Sequence, residues 1–106
     1  MNVVAWLVFL FAALIEVGGD AVIRRGLRGR TAAWILLGCA MLAFYGVMVN
    51  TLKWDFSRML GVYVCFFAVA SVLYGRFMFQ EEIPAATWCG LALIILGGMF
   101  IQFGRK

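Results

Sequence analysis

Histidine is absent from this 106-residue chain, so proton exchange near neutral pH falls to carboxylates. Polar stretches are scarce as well. Charged residues make up 13% and hydrophobic residues 66%, with a mean hydropathy of +1.03. A soluble domain is roughly half apolar and a quarter charged, so the composition is that of a membrane protein. The net charge of +4 has no hydrophilic surface on which to build a nucleic-acid site, and its basic residues lie at span ends, where lipid head groups are met. Cysteines are few and odd in number. Cys39, Cys65 and Cys89 lie inside apolar stretches without metal-ligand spacing and read as small packing residues. With no histidine, no metal cluster and no nucleophile–base pair, neither a cofactor nor an enzymatic site is expected.

Four apolar stretches of about 20 residues each account for nearly all of the chain: residues 3–23, 31–52, 59–79 and 84–103. Each is long enough to cross a bilayer as a helix. The expected fold is an all-α membrane protein, a single four-helix transmembrane domain over residues 1–106. The first stretch lacks a basic start, outruns a signal-peptide core and carries Glu16 and Asp20, so it reads as a span rather than a cleaved leader.

Glu16 is the main functional candidate. It lies three residues from the centre of its stretch, roughly 5 Å from the midplane at the helical rise. An ionisable group at that depth costs a few kcal/mol and commonly faces a partner, a cavity or a transported species. Ala12, Glu16, Gly19, Asp20 and Ile23 recur at helical spacing. The small members leave room for another backbone, or a ligand, beside the carboxylate. Asp20 stands four residues before Arg24, the favourable order for an intrahelical ion pair, and reads as a structural acid that reaches outward.

The third stretch carries a small-residue stripe, Gly61, Cys65, Ala68, Val72 and Gly75, suited to helix contact. Beside it runs an aromatic stripe of Tyr63, Phe67 and Tyr74. That stripe either packs, faces lipid, or lines a cavity that holds a cation against ring faces. On the fourth stretch, Gly90 and Gly97 share a face suited to a dimer seam. Pro84 is read as its first helical residue, with Glu81 and Glu82 favouring its positive end. Asn50 is expected to hydrogen-bond across the bundle. Trp6, Trp34, Trp54 and Trp88 sit at stretch ends, as interfacial anchors do.

Basic residues are nearly balanced between the two sides. Arg24, Arg25, Arg28, Arg30 and Arg76 fall on one, and Lys53, Arg58, Arg105 and Lys106 on the other. Orientation follows a Lys/Arg excess, so dual insertion and antiparallel pairing are expected. An eight-helix homodimer would bring two copies of Glu16 to one cavity near the midplane, as inverted repeats do in larger transporters.

The run Ile15-Glu16-Val17-x-Gly19 with Arg24, and the tail Phe79-x-Glu81-x-x-Pro84, Trp88-Cys89-Gly90 and Leu93-Ile94-x-x-Gly97, resemble the small multidrug resistance family of the drug/metabolite transporter superfamily. The resemblance covers nearly the whole chain. It implies proton-coupled export of small hydrophobic or guanidinium-like cations by an antiparallel dimer in the bacterial inner membrane. The first-helix glutamate, here Glu16, would bind proton and substrate in competition. Tyr63, Phe67, Gly19 and Asp20 would be candidates for the substrate cavity, and Gly90 and Gly97 for dimer contacts. A paralogous chain could replace one copy. The sequence departs from typical exporters in reading Tyr63-Val64-Cys65-Phe66-Phe67-Ala68 where they carry a tryptophan and a Gly-x-Gly kink, which is similar to a less characterised four-span branch. The Trp88-Cys89-Gly90 tail is also similar to lipid-carrier flippase subunits. A flippase, or a non-transporting assembly subunit, is therefore the rival reading.

Overall fold

The computed structural model describes residues 3–104. It is helical: α1 (Val3–Gly29), α2 (Ala32–Asn50), α3 (Phe56–Phe77) and α4 (Ala85–Phe103). All four helices are long and apolar enough to cross a membrane. Helices suit that solvent because each satisfies its own backbone hydrogen bonds. The chain divides into two compact units, Met1–Lys53 and Trp54–Lys106, each holding one helical pair.

In the first unit α1 runs beyond the apolar stretch, past Ile23 to Gly29. Arginine is a good helix former, and cations favour a helix's negative C-terminal end. Arg24, Arg25 and Arg28 therefore prolong the helix although they end the hydrophobic run. The stop comes at Arg30, whose φ of 56° is left-handed. The Thr31 N–H then donates to the Gly26 carbonyl at 2.9 Å, the reverse bond of a Schellman ending.

Contact between α1 and α2 is glycine-mediated. A Cβ on Gly19 would stand 3.0 Å from the Gly38 carbonyl oxygen, and one on Gly38 would stand 2.7 Å from the Gly19 oxygen. The two backbones touch, which only residues without side chains allow. Further along, Gly26 is pressed against Ile35 and Trp34. Asn50 corrects its sequence expectation. Its amide Nδ2 donates to the Gly46 carbonyl at 2.7 Å, one turn back on its own helix, so no cross-bundle bond is needed to satisfy it.

In the second unit α3 and α4 meet through part of the expected small-residue stripe. Gly61 faces Ile101, and Gly98 faces the Cys65 sulfur. The Cys65 thiol donates to the Ile94 carbonyl at 3.3 Å. Nearer the chain ends, Arg58 Nε donates to Gln102 Oε1 at 3.1 Å, and the same guanidinium lies 3.9 Å from the Trp54 ring centroid. Gln102 is a buried polar side chain, 5% exposed, so this bond keeps its amide oxygen satisfied.

The start of α4 differs from expectation in two ways. Pro84 is the N-cap, in extended conformation, and Ala85 begins the helix. Pro84 gives that first turn no side-chain hydrogen bond; the Glu81 carboxylate lies over Gly75, while the Glu81 N–H donates to the Gly75 carbonyl at 2.9 Å. The tight reversal after α3, with Gln80 at a φ of 58°, turns that carboxylate back before α4 begins.

Candidate functional site

Glu16 is the middle residue of α1 and is half-buried. Its surroundings within the first unit follow from helix register. Gly19 meets Met41 and Leu42, Ile23 meets Gly38, and Gly26 meets Ile35. As α1 advances, its partners on α2 recede, so the pair is antiparallel. Continued by one turn toward the N-terminus of α1, this register sets Tyr45 opposite Glu16. Tyr45 is half-buried, and the Glu16 carboxylate acts electrostatically on its phenol.

Tyr45 was not singled out by the sequence. A single-helix pattern shows which residues share a face but not the register of two helices against each other. The glycine pair Gly19 and Gly38 is the sequence signal that could have fixed this register, since close backbone approach aligns them.

Other candidates fall into place around Glu16. Gly19 is buried, and the room beside it is filled by Gly38, Met41 and Leu42. Of backbone and ligand, it is a backbone that approaches there. Ala12 and Ala13 are also buried, so Glu16 projects from a close-packed segment. Asp20, one turn on, is exposed.

The aromatic candidates belong to the second unit. Tyr63 is buried at 3% exposure, and Phe67 and Tyr74 are half-buried. Tyr63 is thus packed rather than presented on an open face. On α4, Gly90 and Gly97 are open: among the described residues, their own turns of helix backbone aside, no atom lies within 4 Å of where their Cβ would stand. Gly98, next to Gly97, is the glycine that packs on α3. The described residues contain no group of three or more histidine, cysteine, aspartate or glutamate side chains placed to hold a metal ion.

Comparison with known proteins adds a family. The model described as "Uncharacterised BCR, YnfA/UPF0060 family" matches residues 2–106. The chain belongs to the YnfA/UPF0060 family. Among curated relatives, a UPF0060 membrane protein of Frankia casuarinae is 34% identical over 103 residues, covering 94% of this chain and 93% of the relative. One from Rippkaea orientalis is 29% identical over 101 residues, with 94% and 93% covered. A third, from Pseudomonas paraeruginosa, is 26% identical over 103 residues, covering 95% and 94%. No solved structure matches. The relatives, matched over almost their full length, are named as membrane proteins, in keeping with four helices able to span a bilayer.

Proposed function

We propose that this YnfA/UPF0060 protein is a proton-coupled antiporter that exports small hydrophobic or guanidinium-like cations. The observation that carries this reading is Glu16, a half-buried carboxylate near the middle of the apolar stretch of α1, with Tyr45 opposite. Its first-helix motif resembles that of small multidrug resistance exporters, which supports the same role.

The working unit in this proposal is an antiparallel homodimer in the bacterial inner membrane. The open glycines Gly90 and Gly97 supply a face for close contact between copies. Two Glu16 carboxylates would then share one poorly hydrated cavity. Desolvation and mutual repulsion both disfavour charge there, and the pair behaves as a coupled unit. Protons neutralise it on one side of the membrane. A hydrophobic cation displaces them on the other, and rocking of the two copies exchanges access.

Selectivity follows from sign: a buried acid pair accepts a positive guest or protons, not both in full. Asp20, exposed one turn on from Glu16, is the residue of the first unit proposed to border the cavity. The test is transport in proteoliposomes carrying an imposed pH gradient, with tetraphenylphosphonium and guanidinium as probe cations. Wild-type protein is expected to move the cation against its own gradient, and Glu16→Gln to lose that coupling. Uphill transport by Glu16→Gln would defeat the proposal.

A further inference from the structure

The part of α1 that outruns the bilayer carries an unusual charge pattern. At about 1.5 Å per residue, its 27 residues extend about 40 Å, against roughly 30 Å for a hydrocarbon core. Arg24, Arg25 and Arg28 lie in the surplus and are exposed, with Arg30 exposed just beyond. No aspartate or glutamate occurs between residues 21 and 54; the nearest carboxylate in sequence is Asp20, a turn before Arg24.

This surplus is braced. Gly26 fits so closely against α2 that a Cβ there would meet Ile35 Cγ1 at 2.8 Å and the Ile35 backbone nitrogen at 3.0 Å. At about 3.6 residues per turn, Arg24 and Arg28 stand roughly 160° around the helix from Gly26, and Arg25 roughly 100°. Arg24 and Arg28 therefore lie on the face turned away from α2 and Arg25 on its flank, all held by a rigid helix end. Trp34, 49% exposed, starts α2 at the same level, where an indole prefers the head-group zone.

We infer that the α1 end of the first unit is a binding surface for the head groups of anionic phospholipids. The planar guanidinium fork matches phosphate oxygens, and a cluster of arginines beside a membrane span meets such phosphates at their own depth. A nucleic acid or acidic protein partner would have to approach a patch lying level with the lipid phosphates, which the lipid already occupies. This inference is independent of the transport reading, because it uses neither Glu16 nor a dimer.

The test uses full-length protein in detergent micelles, with lipid binding followed by native mass spectrometry. The probes are phosphatidylglycerol and phosphatidylcholine with the same acyl chains. Three arginines are expected to favour phosphatidylglycerol on the order of a hundredfold at low salt. Arg24→Gln/Arg25→Gln/Arg28→Gln should reduce that preference to a few-fold. The lysine triple, Arg24→Lys/Arg25→Lys/Arg28→Lys, should keep most of it, and Lys53→Gln, at the other end of the hairpin, should keep all of it. An undiminished preference in the glutamine triple would overturn the inference. So would an equal loss in the lysine triple or in Lys53→Gln, or displacement of the lipid by an equal concentration of inorganic phosphate.

Discussion

Replacing Gly38 by alanine tests whether the backbone contact between α1 and α2 positions Glu16. The added Cβ would overlap Ile23 Cγ1 and lie 2.7 Å from the Gly19 carbonyl oxygen and 3.1 Å from the Ile23 backbone nitrogen. Ile23 can rotate away, but two of those neighbours are backbone of a rigid helix. The helices must separate. Overpacking of this kind costs about 1–3 kcal/mol, while alanine in a helix interior gains up to about 1 kcal/mol over glycine. A net loss of up to about 2 kcal/mol is expected. Gly46 on the same helix is the internal control, because among the described residues nothing lies within 4 Å of its Cβ position. Gly46→Ala should be neutral or stabilising by up to about 1 kcal/mol. Reversible unfolding in mixed micelles, followed by tryptophan fluorescence, measures both variants. Because Tyr45 is set opposite Glu16 by the same register, Gly38→Ala should also weaken cation binding, whereas Gly46→Ala should not. Equal stability of the two variants would refute the packing argument.

Two further perturbations probe the hairpin ends. Arg58→Ala leaves the Gln102 carboxamide, 5% exposed, without the bond from Arg58, at a cost of about 1–3 kcal/mol. Gln102→Leu should cost less in the Arg58→Ala background than in the wild type in the same unfolding assay, since the bond between the two side chains is already gone there. Arg30→Gly removes a side chain from a left-handed residue and should stabilise the first unit by about 1 kcal/mol, read as a shift of the same transition.

The number and approximate extent of the helices were legible because the bilayer demands about 20 apolar residues per crossing. Hydrophobicity alone, however, ends a helix too early where arginines continue it. That is why α1 was read to residue 23 and runs to Gly29. Glu16 stood out as a candidate because an acid is conspicuous in an apolar run. Tyr45 was not, because inter-helix register is a property of two faces fitted together, and here two glycine backbones decide it. The fourth helix shows the same limit. A pattern on one helix does not tell that Gly98 is the glycine set against Cys65 of α3. Asn50 and Glu81 read as bundle and cap residues from their positions. Each instead settles on nearby structure: the short Asn50 side chain bonds the Gly46 carbonyl one turn back, and the tight reversal at Gln80 turns the Glu81 carboxylate over Gly75.

The most direct test of the proposed exchange is proton release on cation binding. Purified protein in weakly buffered detergent solution, titrated with tetraphenylphosphonium, should release protons in step with occupancy, and the apparent affinity should fall as the pH is lowered. Glu16→Gln should do neither. Binding by the wild-type protein without proton release, or equal release from Glu16→Gln, would contradict the assignment of Glu16 as the shared site.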